Sequence, residues 1–442
     1  MKKEKKSNSS LYFNQIISHY SLFGWIRNIP GLVLFFFILS AILFSDSKAT
    51  QILGFLICIV FFVIVLMQKN FTLHFFLKVP SEIKYFSIWV AWAIITGPFV
   101  VINISMYYED ARKIIQLCLL IWVMYGIFFY RKDAFIAIPM GIITGSIIIV
   151  TRMFMNLEST TLFDQTKQED AGTGNPNVLG AYMDLAIFSI IFLWGLAGRF
   201  RMFIAIIGII FIPLFVYAII VSGSRKSILL LLILICLSFI YGRTTKNAKG
   251  LIIIKIFVII LLPIIFYSYL SSFMENSLVG HRFQNFMSRG GGSISGAATE
   301  NIRYSMYVEG LNMFLSNPFF GVGLGNFKAH FWSGHYSHSD YIEPLSTTGL
   351  VGFLLYQSGY FIIILKGIKL IKVVKDKAGL FCVKMIIILM FTILFLGIGA
   401  PFYNDIVIRV LLTMVSAFLF DLVKKNKIVK PDYNFHLSLH HF

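Results

Sequence analysis

The sequence predicts an all-α polytopic membrane protein of about twelve transmembrane helices, with one large extracytoplasmic loop between the ninth and the tenth. Three observations lead there. The chain of 442 residues is 58% hydrophobic and only 13% charged, whereas soluble domains usually carry about a quarter charged residues. Apolar runs of roughly 18 or more residues recur along it, each long enough to cross a ~30 Å hydrocarbon core. Lys and Arg gather in every second connection between those runs, as cytoplasmic loops require.

A spanning segment must satisfy its backbone hydrogen bonds internally, so the runs are read as helices. In order they are 29–45, 49–67, 86–105, 111–130, 134–151, 177–197, 202–221, 225–241, 251–270, 347–366, 379–397 and 405–423. The N-terminal tail carries Lys2, Lys3, Lys5 and Lys6. No small-residue cleavage site follows the first apolar run, so that run is read as a retained helix. Alternate connections are basic: Lys69, Lys78 and Lys84; Arg131 and Lys132; Arg199 and Arg201; Arg243, Lys246 and Lys249; Lys366, Lys369, Lys372, Lys375 and Lys377. Both chain ends are therefore expected in the cytoplasm. Most of the +18 formal charge is this orientation signal, which argues against nucleic acid as a partner. Cys58, Cys118, Cys236 and Cys382 all lie in apolar runs and read as small packing residues, not a disulfide framework.

The expected organisation is residues 1–270 for helices one to nine, 271–346 for the large loop with part of the site, 347–423 for helices ten to twelve, and 424–442 for a cytoplasmic tail. Two outward connections are long, and long connections are often functional. The first, 152–176, ends in GTGNPN. In the second, SRGGGSISGAA (288–298) reads as a mobile hinge or a disordered tip; no Gly-Lys-Ser/Thr follows, so it is not a phosphate-cradling P-loop. ENIRYSMYVEGLNMFLSN (300–317) has helical periodicity, with Ile302, Met306, Val308, Leu311 and Phe314 sharing apolar surface. It is read as an interfacial helix that ends at Asn317-Pro318. The glycine turn GVGLGNF (321–327) follows.

Arg225 and Lys226 open a helix on the expected outward side, where both the positive-inside bias and the helix dipole disfavour cations. Arg303, Arg282 and Arg289 share that side. Cations so placed fit an anionic partner, and Arg225 and Arg303 are the strongest candidates. The alternative, favoured for Lys226, Arg282 and Arg289, is snorkelling to lipid headgroups.

The stretch GHYSHSDYIEPLSTTGLVGFL (334–354) brings His335, His338, Asp340, Tyr341 and Glu343 to the mouth of an apolar helix. His330, His335 and His338 with Asp340 offer metal-ligand chemistry, but their spacing matches no zinc signature. A proton-transferring His338 fits better, since imidazole titrates near neutral pH. No metal site and no cofactor is expected. No DxD pair, Walker motif or Rossmann fingerprint is present, which argues against a soluble nucleotide donor.

GVGLGNF followed by HSDYIEPLSTTGLVGF resembles the signature of the O-antigen ligase and O-antigen polymerase superfamily, membrane glycosyltransferases grouped by their Wzy C-terminal domain. NPNVLGAY (175–182) is similar to the family's Asn-Pro-Asn motif, SGSR (222–225) to its Ser-Arg motif, and Arg303 to its loop arginine. Ser339 and Tyr307 depart from residues common there, Asn and Trp. The resemblance implies a GT-C-like fold and a metal-independent enzyme of surface-polysaccharide or lipopolysaccharide biosynthesis. Its donor would be a glycan on undecaprenyl pyrophosphate, and its site would face outward from a bacterial cytoplasmic membrane. An acceptor hydroxyl would attack the anomeric carbon as the lipid pyrophosphate leaves. His338 would then be the base and Arg225 with Arg303 would steady the pyrophosphate. Lys226, Asn175, Asn177, Asp340, Tyr341 and Glu343 would bind substrate. The acceptor would be another lipid-linked repeat for a polymerase, and lipid A–core or a protein for a ligase. A polyprenyl-linked glycan transporter is the competing class. It would favour mid-membrane charges, whereas the predicted spans hold few, among them Asp184, Lys255, Lys384 and Arg409.

Overall fold

The computed structural model describes residues 29–43, 48–67, 79–130, 132–156, 176–196, 200–222, 224, 226–231, 294–332, 334–399 and 401–425. Among them the structure is helical and contains no strand. In chain order the main helices are α1 (Ile29–Leu43), α2 (Lys48–Met67), α3 (Ser81–Thr96), α4 (Ile104–Tyr130), α5 (Ala137–Asn156), α6 (Pro176–Leu196) and α7 (Arg201–Ser222). Then come α8 (Ile294–Ser316), α9 (Ile342–Val373), α10 (Lys377–Leu396) and α11 (Ile406–Lys425). Seven of the described helices are long and apolar enough to cross a membrane: α4, α5, α6, α7, α9, α10 and α11. This is a multi-pass membrane architecture. Of the expected spans, 225–241 and 251–270 lie outside the described residues except for a helical piece at 226–231.

The third span is displaced from its expected 86–105. Its helix opens at Ser81 and stops at Thr96, where Gly97-Pro98 tightens the chain into a 3-10 turn. Lys84, expected in a connection, lies inside the helix, and so does Glu82. Glu82 is accommodated because Lys366 of α9 pairs with it. The expected hinge at 288–298 is also corrected in its described part, since α8 begins at Ile294. The apolar residues of α8 do not share one face. Met306, Gly310 and Met313 turn inward, an i, i+4, i+7 stripe, and the methionines pack with Val322, Phe327 and Phe331. Val308 and Leu311 stay exposed on the other side.

The bundle core is a continuous apolar cluster built from α1 through α7 and α9 through α11. Cys382 lies in this cluster, Cys118 packs against it and Cys58 is partly buried, all three as free thiols; Cys236 lies outside the described residues. One end of the bundle gathers the connections at 97–103, 317–341 and 397–405. Asn326 fixes two of them together: its side-chain oxygen accepts the amides of Ile102 and Asn103, at 3.1 and 2.7 Å, and its amide donates to the Asn103 carbonyl at 3.2 Å.

Candidate functional site

Helix α9 is broken at Gly349, whose backbone is left-handed at φ 67°. A Cβ there would meet the backbone of Phe319 and Phe320, so only glycine fits. The break releases carbonyls that buried backbone cannot leave unpaired. Val322 N–H donates to Ser346 O and Gly323 N–H to Thr347 O, both at 2.9 Å, while Trp92 Nε1 donates to Thr348 O at 3.1 Å. Leu350 N–H reaches back to Pro318 O at 2.8 Å. The glycine turn and STTG, two separate motifs in the sequence, are therefore one hydrogen-bonded unit, and it seats the mouth of α9.

The loop entering α9 carries His338, Asp340 and Tyr341, and Glu343 lies in the first turn of the helix. Asp340 is 3% exposed and fully engaged. Tyr356 donates to both of its carboxylate oxygens at 2.7 Å, Tyr360 to one at 3.2 Å, and the Phe402 amide to the other at 2.6 Å. Its own N–H donates to Gly397 O at 2.7 Å. Burial nevertheless pushes the Asp340 carboxyl up to about 6, against the lowering effect of Arg409 and these hydrogen bonds. Glu343, 1% exposed, accepts the Ser337 amide at 2.6 Å. Tyr341 is half-buried and donates to Leu394 O at 2.6 Å; burial raises its phenol above the ordinary range.

His338 lies between two anchored residues, Ser337, whose amide Glu343 accepts, and Asp340. Its φ is 52°, the only positive φ at a non-glycine residue among those described. The left-handed region costs an L-residue about 1–2 kcal/mol. Such a conformation persists only where the surroundings over-determine it, and it concentrates at functional sites. Its ring, partly exposed, lies against Tyr336 with centroids 4.4 Å apart.

Three of the predicted motifs meet a segment that sequence reasoning left aside, the connection 397–402 between α10 and α11. Asp340 holds it through Gly397 and Phe402, as above. Tyr307, one turn beyond Arg303 on α8, donates from its hydroxyl to Ile398 O at 2.7 Å. Lys226, from SGSRKS, lays its ammonium against Gly399, where any Cβ would displace it. The structure thus brings together the loop of His338, the helix of Arg303 and Lys226, the residue after Arg225 in the sequence. Arg225 itself and Asn175 lie outside the described residues, and Arg303 and Asn177 are placed by backbone alone, on α8 and α6. Behind Asn177, Gly180 of α6 packs against Ser224 and Ser227. The Asn-Pro-Asn helix and the Ser-Arg turn therefore adjoin.

The histidines do not converge. His335 is exposed, while the Nε2 of His330 is buried without a partner. Among the described residues no three His, Cys, Asp or Glu side chains are placed to hold a metal ion.

Sequence reasoning also missed Arg409. It is 5% exposed on α11 and packed with its guanidinium centre 4.7 Å from the ring centroids of Phe86 and Tyr356. It donates to the Tyr356 hydroxyl, and its Nε donates to Phe402 O at 3.1 Å. The available signal was an arginine at the start of an apolar helix, since charge inside a membrane is expensive and rarely idle.

Comparison with known proteins matches residues 210–357 to the family model described as O-antigen ligase. No curated protein matches the chain. The matched segment holds SGSR, Arg303, GVGLGNF and HSDY, and bears out the resemblance to the O-antigen ligase and polymerase superfamily. The helices make the chain a multi-pass membrane protein, and the matched segment, about a third of its length, is similar to a family whose members are membrane glycosyltransferase-like enzymes. The connection 397–402 and Arg409 lie outside the matched segment, yet hold residues inside it.

Proposed function

We propose that the chain is a surface-polysaccharide polymerase. It would transfer a glycan from undecaprenyl pyrophosphate to a sugar hydroxyl at the outer face of the bacterial cytoplasmic membrane. The observation that carries the reading is His338, in a left-handed backbone between Ser337, which Glu343 holds, and Asp340, which Phe402 and two tyrosines hold. A sugar hydroxyl is a poor nucleophile, and a positioned base helps by about 10²–10⁴-fold. The partly exposed imidazole takes the hydroxyl proton as the oxygen attacks the anomeric carbon. The bond from that carbon to the pyrophosphate oxygen breaks, and the lipid pyrophosphate leaves with the electron pair.

Arg225 and Arg303 would receive the charge that builds on the departing pyrophosphate, with Lys226 beside them. A guanidinium fork binds phosphate oxygens in pairs, so no divalent metal is required in this scheme. Asn175 and Asn177 would contact the donor. Asp340 and Glu343 are buried and occupied, so we assign them to holding the loop around substrate and not to contacting it; Tyr341, half-buried, stays at its edge. Arg225→Lys and Arg303→Lys should each lose most turnover while still inserting, because lysine lacks the fork.

The family description, O-antigen ligase, supports a second reading in which the acceptor is lipid A–core or a protein. Deletion of the gene separates the two when surface glycans are run on a gel. Core bearing a single repeat indicates a lost polymerase. Full-length chains retained on the lipid carrier indicate a lost ligase. An unchanged glycan pattern rules out both.

A further inference from the structure

We infer that Arg409 is a positioning residue for the transfer step, acting through Tyr356 and Asp340 on the loop that carries His338; this rests on the reading of His338 as the base. The geometry forms an unbroken chain. Arg409 donates to the Tyr356 hydroxyl, and Tyr356 donates to both oxygens of Asp340 at 2.7 Å. Asp340 lies two residues from His338. Arg409 also holds Phe402 O, and the Phe402 amide holds Asp340, so a second route reaches the same carboxylate.

A membrane helix has little reason to bury a guanidinium for stability alone. Desolvation of a buried charge can outweigh its pairing, and apolar replacements are often as stable. Here the charge sits where its removal would free one particular loop. The hydrogen bonds of Arg409 run to the Tyr356 hydroxyl and the Phe402 carbonyl, and both residues lead on to Asp340. The left-handed His338 needs both flanks fixed: Glu343 holds Ser337 on one side, and Asp340 closes the other. Loss of the Asp340 anchor lets the backbone relax toward negative φ and swings the imidazole away.

The test uses the full-length chain in detergent or nanodiscs, with a synthetic polyprenyl-pyrophosphate oligosaccharide as donor. Tyr356→Phe removes only the hydroxyl link and keeps the ring against Arg409, so it is the primary variant; Arg409→Met follows. Misplacing a catalytic group by about 1 Å costs on the order of 100-fold. We expect kcat per folded molecule to fall about 10–100-fold with donor KM little changed, the signature of an interaction made in the transition state. Asp340→Asn added to Arg409→Met should cost little more, because the residues act as one unit. A purely structural role would lower the yield of folded chain and leave kcat per folded molecule intact. That result, or losses that multiply in the double variant, overturns the proposal.

A second readout separates this proposal from the functional reading. A nitroxide at His335→Cys, in a chain whose native cysteines are replaced, reports loop order without turnover. If the chain shows no transferase activity but Tyr356→Phe mobilises the label, the functional reading falls and the positioning by Arg409 stands. If Tyr356→Phe and Arg409→Met both leave the label as ordered as before, the positioning falls whatever the activity.

Discussion

Lys226 rests its ammonium on Gly399, more than 170 residues further along the chain, at a point where any side chain would displace it. A cation from the Ser-Arg turn is thereby fixed against the connection that also anchors Asp340 and Tyr307. Its location explains a glycine with no other evident duty, in a segment that carries no charge of its own.

Gly399→Ala should therefore move Lys226, the neighbour of Arg225 in the sequence. We expect donor KM to rise several-fold while the protein inserts normally, because one methyl group costs little where the lysine can swing out. Gly399→Leu should have the larger effect. Donor titrations that match wild type for both variants would show that the contact is incidental.

The strained backbone at His338 yields a stability prediction independent of activity. His338→Ala keeps the left-handed cost, and His338→Gly relieves it. Both should lose most of their turnover, yet the glycine variant should be more stable than the alanine variant by about 1 kcal/mol. Thermal or denaturant unfolding in detergent measures the difference. An alanine variant as stable as the glycine variant would mean that the loop relaxes freely and holds no strain.

Asp340 sets a pH dependence of defined sign. Its carboxyl is raised by burial to about 6 in the folded chain, against about 3.9 when unfolded. Between those values the folded state holds a proton that the unfolded state has lost. Its contribution to stability is therefore full below about pH 4 and is lost as pH rises through 6. The melting temperature of the wild type should fall between pH 4 and 7 more steeply than that of Asp340→Asn, a differential of about 2–3 kcal/mol. The same value affects kinetics. An acidic limb near 6–7 does not by itself separate an imidazole from this carboxylate, so the base is assigned by whether the limb survives in the residual activity of His338→Ala.

The orientation proposed from the basic loops is open to labelling. Phe319 lies exposed at the end of the bundle that holds the site, and Lys375 lies beyond the far end of α9. Phe319→Cys should react with an impermeant thiol reagent in intact cells or spheroplasts, and Lys375→Cys should not. The reverse pattern would invert the chain and move the site to the cytoplasm.

The legible part of the site was the part written in polar residues. His338, Asp340 and Glu343 stand out because they interrupt apolar sequence, and Arg303 and Arg225 because they defy the orientation rule. Their meeting place was not legible. Residues 397–402, GIGAPF, offer no charge or hydroxyl, and act through backbone carbonyls, one amide and a missing Cβ. Arg409 was visible only as one of a few charges inside predicted spans, because its role depends on tyrosines of another helix. The start of α3 was misjudged for a related reason. Glu82 looks like a loop residue until Lys366, 284 residues away, is seen to neutralise it. The Gly97-Pro98 stop was hidden within an apolar run. Hydropathy records where a helix suits lipid, whereas its ends are set by hydrogen bonding and pairing.

The most direct measurement is turnover of a polyprenyl-pyrophosphate oligosaccharide by the purified full-length chain, wild type beside His338→Ala, with EDTA present throughout. We expect wild type to release the lipid pyrophosphate and extend the acceptor without added metal. His338→Ala should lose about 10²–10⁴-fold in kcat with donor binding nearly unchanged. Near-wild-type turnover by His338→Ala, or a wild-type activity that vanishes in EDTA and returns with magnesium or zinc, would contradict the mechanism.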